Sequence, residues 1–222
     1  MTSIRTFVIG PRVPSELLRR NPVRYRLPSA LMLAGALIFM LSALLPWWHM
    51  KLHAPQYPKG LTLEAHVNSM SGDVAEIDIL NHYIGMRPLT EAAPLERKLA
   101  WFAVTSMAAS LIAASFTRTW WAGIFSLPLI LFPAVFLLDL RYWMHDFGMN
   151  LDPSAPLSNS IKPFSPPVLG HGVIGQFTTD AYVGTGLMTA VGAGVLTLVA
   201  LWLHRRAFKP LLDQRRNEAS LT

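Results

Sequence analysis

Imidazole and thioether side chains gather outside the apolar stretches of this 222-residue chain. Six of the seven histidines, His49, His53, His66, His82, His145 and His171, lie in two long polar segments. Five of the ten methionines, Met50, Met70, Met86, Met144 and Met149, accompany them. There is no cysteine, so thiolate metal sites, disulfides, Fe–S clusters and cysteine nucleophiles are excluded. The remaining soft donor is thioether, which suits Cu(I), while imidazole serves both copper oxidation states. The spacing predicts a copper site drawn from His49, Met50, His53, His82, Met86, Met144, His145 and Met149. His49 and His53 are four apart and would stack on one helical face if the preceding helix continued. Asp78, His82 and Met86 are also four apart, which lets Asp78 orient the His82 ring. Asp146 and Asp152 are candidate docking or supporting carboxylates beside the same segments.

Other chemistry is poorly provided for. No G-x-S-x-G nucleophile elbow and no phosphate-binding glycine loop occur, and the apolar stretches lack the acidic, basic or histidine series of an ion pathway. The expectation is therefore a non-enzymatic protein that carries a metal without turnover.

The elements that must position these residues are long and apolar. The chain is 52% hydrophobic and 14% charged, with mean hydropathy +0.35, whereas soluble domains carry roughly 25% charged residues. Four stretches approach the about 20 residues that a helix needs to cross a bilayer core. They run from about Ser29 to Trp48, Leu99 to Phe116, Trp120 to about Leu140, and Tyr182 to Leu203. Thr117, Arg118 and Thr119 separate the middle two, which predicts a tight hairpin. The first span lacks a small-x-small cleavage pattern and reads as an uncleaved signal anchor.

Twelve basic residues, Arg5, Arg12, Arg19, Arg20, Arg24, Arg26, Arg118, Arg205, Arg206, Lys209, Arg215 and Arg216, share one side with three acidic ones. The other side holds seven basic and ten acidic residues. Positive-inside asymmetry then makes both termini cytoplasmic in a bacterial inner membrane. The basic excess matches anionic headgroups and lacks the interleaved aromatics of a nucleic-acid surface.

The fold class expected is an all-α membrane protein, a four-helix bundle with a small mixed periplasmic cap. Its parts are a basic segment at 1–28, a membrane domain at 29–204 with outer loops 49–98 and 142–181, and a basic tail at 205–222. Loop one carries an alternating strand at Leu61–Val67 and a helix from Asp73, capped by its Asp73-x-x-Glu76 box and ended by Gly85. Loop two, rich in proline and glycine, should be irregular. Gly186, Ala190 and Gly194 form a small-residue stripe for close helix packing, within the chain or against a partner. The tryptophans fall near span ends, as in an aromatic belt.

Two passages carry a resemblance. One is Tyr57-Pro58-Lys59-Gly60-Leu61, Gly72-Asp73-x-x-Glu76-Ile77 and Leu80-Asn81-His82-Tyr83-Ile84-Gly85-Met86. The other is Asp146-Phe147-Gly148-Met149-Asn150-Leu151-Asp152-Pro153-x-Ala155-Pro156 with Lys162-Pro163-Phe164-x-Pro166-Pro167-x-Leu169-Gly170. Together they resemble a bacterial family of small four-span membrane proteins associated with NosL-type copper chaperones and nitrous-oxide-reductase accessory genes. The resemblance implies copper handling on the periplasmic face, with His82, Met86 and the Asp146–Asp152 stretch as its surface. Met149 stands where that pattern would place histidine, which softens the site toward Cu(I). The expected partners are the bilayer and a membrane or periplasmic protein, and no nucleic acid. The competing expectation is a non-catalytic subunit of a larger respiratory, photosynthetic or copper monooxygenase complex.

Overall fold

A computed structural model describes residues 7–10, 12–157 and 160–220, the side chains of 215, 216 and 218–220 excepted. Arg5 and the side chains of Arg215 and Arg216 thus lie outside the described residues. The chain divides into two compact units, one of Met1–Leu41, Val104–Phe132 and Thr189–Thr222, the other of Ser42–Ala103 and Pro133–Met188.

A short helix, α1 (Ser15–Arg20), precedes α2 (Pro22–Ser42). Three further long helices follow: α4 (Pro94–Phe116), α5 (Trp121–Met149) and α6 (Thr185–Ser220). These four are long and apolar enough to cross a membrane. In the first unit their packing inverts the soluble pattern. Many small residues sit in the contacts, with Ala36, Ala108, Ala114, Ala122, Ala193 and Ala200 buried beside Met32, Phe39, Leu111 and Leu129, while Leu33, Leu37, Leu131, Val195 and Leu198 face outward. Small contacts with large apolar exteriors suit lipid surroundings, where water drives no association between helices. Polar side chains add specific ties. Ser29 donates to the Ser115 carbonyl at 2.8 Å, and Ser110 donates across the α4–α5 hairpin to the Phe125 carbonyl at 2.7 Å. Gly35 brings α2 close to α6, where a Cβ would lie 2.9 Å from Thr197 Oγ1.

The second unit corrects the all-α expectation. Its centre is a five-stranded antiparallel sheet, so the protein is mixed α and β. Loop one supplies β1 (Trp48–Ala54), β2 (Tyr57–Ala65) and β3 (Met70–Gly72). Loop two supplies β4 (Gly170–Ile174) and β5 (Phe177–Val183), and the spatial order is β3-β2-β1-β5-β4. The two loops are therefore one sheet, joined where β1 pairs with β5 from Trp48↔Val183 to His53↔Thr178. Gly175, at φ +60°, permits the two-residue turn between Ile174 and Phe177. Loop two is thus ordered by strand pairing despite its weak β propensity, because β1 supplies the neighbouring ladder.

Alternation sets the faces. Trp48, Leu52, Leu61, Leu63, Phe177 and Ala181 turn inward and pack with Ile77 and Ile84 of α3 (Val74–Ile84). Gly85 ends α3 in the left-handed conformation at φ +82°. Asp73 does not cap α3 by its side chain; its carboxylate instead accepts from the Thr62 N–H at 2.7 Å and the Thr62 hydroxyl at 3.1 Å. The first span ends earlier than expected, at Ser42. Trp47 and Trp48 leave the belt reading altogether. Both are buried, and their indoles donate to the Ser42 and Val168 carbonyls at 2.9 and 2.6 Å.

Candidate functional site

Strand geometry separates the expected ligands. His49 and Met50 are adjacent in β1, so their side chains leave opposite faces. The helical stacking expected for His49 and His53 is absent, although the two share one sheet face through the strand period. Among the described residues, no three His, Asp or Glu side chains converge on a metal position.

On the inner face lies a cavity of about 100 Å³. Four thioethers line it: Met50 from β1, Met70 from β3, Met86 just beyond α3, and Met144 from α5. Trp48, Trp143, Phe147, Phe164, Phe177 and aliphatic side chains form most of the remaining wall, and among the described residues no carboxylate or imidazole lines it. Three residues of this wall carry a buried polar atom without a hydrogen-bond partner, Asn81 Nδ2, Thr179 Oγ1 and Trp143 Nε1, the first two in residues 7% and 3% exposed. Each unpaired buried group costs about 1–3 kcal/mol, so the cavity favours an occupant with at least one polar contact. Uncharged soft donors in an apolar wall fit Cu(I) and penalise divalent ions, which need anionic or imidazole compensation. Met70, Asn81 and Thr179 were not among the expected ligands; reading β3 and β5 as strands would have found Met70 and Thr179, and Asn81 lies on the buried Ile77–Ile84 face of α3.

The outer face carries two histidine–carboxylate groups. His53 Nε2 and His171 Nδ1 lie 3.1 and 2.9 Å from the two oxygens of Asp180. Glu64 meets His49 Nδ1 at 3.3 Å and His66 Nε2 at 4.0 Å, and accepts from Ser71 at 3.4 Å. The hydrogen bond to His171, helped by that to His53, holds the Asp180 carboxyl below its ordinary 3.8. A depressed carboxyl stabilises the fold above its unfolded value, and that contribution is lost as pH falls through the folded value. Asp180→Asn should therefore lower the thermal midpoint near neutral pH, and the difference from wild type should vanish as pH falls below the ordinary carboxyl value and through the depressed folded one. Midpoints measured across that range check this; a constant difference at every pH would refute it.

The remaining expected residues serve other purposes. Asp78 does not reach His82 as expected; its Oδ1 accepts from the Leu89 N–H at 2.7 Å, fixing the chain's return after α3. His82, His145 and Met149 are exposed and outside the cavity. Asp146 pairs with Arg87, whose guanidinium lies 4.3 Å above the Phe147 ring. Asp152 caps its own turn through Ser154, whose hydroxyl and N–H bonds hold the carboxyl below its ordinary value. The two passages carrying the family resemblance meet directly. The Asp152 N–H donates to the Gly85 carbonyl at 2.7 Å, and the Leu157 N–H to the Tyr83 carbonyl at 3.0 Å.

Compared with protein-family models, curated proteins and solved structures, the chain matches none.

Proposed function

We propose that this chain is a four-span inner-membrane accessory protein, with both termini cytoplasmic, that takes up Cu(I) in its sheet unit and passes it on. The observation carrying this reading is the meeting of four thioethers, Met50, Met70, Met86 and Met144, around one apolar cavity. Their donors need no deprotonation, so uptake and release require no proton transfer from the ligands. Asn81 and Thr179 would hold a polar co-ligand or water beside the metal. The four histidines paired on the opposite face would serve partner docking, together with Asp146 and Asp152 at the surface. The alternative, a non-catalytic subunit of a larger membrane complex, gains no separate argument from the small-residue stripe, because Ala190 and Gly194 are buried within one unit and Gly186 within the other.

The test is anaerobic competition against a chromophoric Cu(I) chelator, using protein purified in mild detergent without an affinity histidine tag. Wild type should retain close to one Cu(I) per chain. Met50→Leu/Met86→Leu preserves side-chain volume and should weaken retention by at least about tenfold, whereas His82→Ala should leave it unchanged. Equal retention by the double variant would overturn the reading.

A further inference from the structure

The first unit contains a second cavity, of about 430 Å³, at the turn joining α4 to α5. Arg118 approaches it from the turn, and Arg205 and Lys209 from α6, four residues apart on one helical face. Its other walls are mainly apolar, formed by Trp120, Leu201, Phe208 and Leu212 beside Thr119 and His204. Among the described residues, no acidic side chain lines it.

The turn is held firmly. The Arg118 N–H donates to the Ile9 carbonyl at 2.8 Å and the Thr119 hydroxyl to the Val8 carbonyl at 2.6 Å. His204 Nε2 lies 2.8 Å from the Thr117 carbonyl. Arg118 therefore projects from a fixed backbone. Gly123 leaves room in the wall, since a Cβ there would meet nothing within 4 Å.

We propose that this cavity binds one anionic phospholipid. Its phosphate lies among Arg118, Arg205 and Lys209, and an acyl chain runs past Phe208, Leu201 and the space at Gly123. Three cations lining one cavity define an anion site, and the apolar wall gives a lipid, but not free phosphate, something further to bury. The site is independent of the copper reading, which concerns the other unit.

Native mass spectrometry of the full chain in mixed micelles of phosphatidylglycerol and phosphatidylcholine tests this. Wild type should retain phosphatidylglycerol about a hundredfold over phosphatidylcholine, taking each basic group as contributing about 1 kcal/mol. Arg118→Gln/Arg205→Gln/Lys209→Gln should abolish that preference, with thermal midpoints confirming a folded chain. Gly123→Leu, which changes no charge, should lower phosphatidylglycerol retention by narrowing the apolar wall. Equal retention of both lipids by wild type would overturn the proposal. So would full displacement by millimolar inorganic phosphate, or unchanged retention in Gly123→Leu, either of which would leave a simple phosphate site.

Discussion

Gly186→Ala should lower the thermal midpoint of the protein by about 6–12 °C, taking about 3 kcal/mol for an unrelieved overpacking clash in a chain of this size. Gly194→Ala, two helical turns further along the same stripe, should leave it level or slightly higher. The contrast follows from what each added methyl meets. At Gly186 a Cβ would stand 2.4 Å from Trp47 Cδ1 and 2.8 Å from both the Ser42 and Leu45 carbonyls. Trp47 cannot yield, because it is fully buried, bonded to Ser42 and edge-packed on Phe136 at 5.1 Å. The carbonyls belong to the turn between α2 and β1, which the Gly184 and Gly186 N–H groups hold at Trp47 and Pro46, each at 2.8 Å. At Gly194 the nearest atom is Ile130 Cα at 3.9 Å, an ordinary contact. Alanine there also regains the roughly 0.5–1 kcal/mol that glycine costs inside a helix. Differential scanning fluorimetry of both variants in one detergent decides the matter. Equal losses would mean that the stripe works as a uniform interface with another chain.

The stripe illustrates how far the sequence could be read. Its spacing marks close helix approach, but spacing cannot say that Gly186 faces the entry to a strand while Gly194 faces a helix. The four long helices were legible because about twenty consecutive apolar residues have few alternatives to crossing a bilayer. Helix α3 was legible too, since Ile77, Leu80 and Ile84 recur on one face and Gly85 ends it.

The sheet was hidden by the same apolar logic that revealed the helices. Extending the first span to Trp48 absorbed the start of β1, after which Trp48-His49-Met50-Lys51-Leu52-His53 read as a helical continuation and not as the alternation it is. In β5, Phe177, Thr179 and Ala181 alternate inward with Thr178 and Asp180 outward, but seven residues among prolines and glycines carry little weight alone. Mistaking the period had a direct chemical cost. With a period of two, adjacent His49 and Met50 cannot serve one metal, and the mixed imidazole–thioether set divides into a methionine cavity and a histidine face. Asp78 failed for another reason: helical spacing offered it to His82, but the chain returning after Gly85 presents the half-buried Leu89 N–H, which it pairs instead.

On the proposed Cu(I) reading, removing a wall of the cavity should lower both stability and copper retention. Phe147→Ala is expected to cost about 3–5 kcal/mol, the range for truncating a buried phenylalanine. The ring is 1% exposed, stands perpendicular to Trp143 at 5.8 Å, and receives the Arg87 guanidinium at 4.3 Å. Truncation therefore removes an aromatic pair and a cation–π contact, and leaves Arg87 to hold Asp146 without its platform. It also enlarges the space that Met50, Met70, Met86 and Met144 share. Thioether groups bind weakly one at a time, so on the proposed Cu(I) reading their joint affinity depends on the walls of the cavity that all four line. Phe147→Ala should consequently lose Cu(I) at least about tenfold although every thioether remains. Phe147→Leu, which retains most of the volume, should lose less than half as much stability and keep the metal. Urea midpoints and chelator competition on the same preparations test both halves. A Phe147→Ala protein that is strongly destabilised yet binds Cu(I) as wild type does would separate the fold from the site and place the copper elsewhere. One that loses copper with its midpoint intact would leave the thioethers in place and make the aromatic wall itself a contact of the metal.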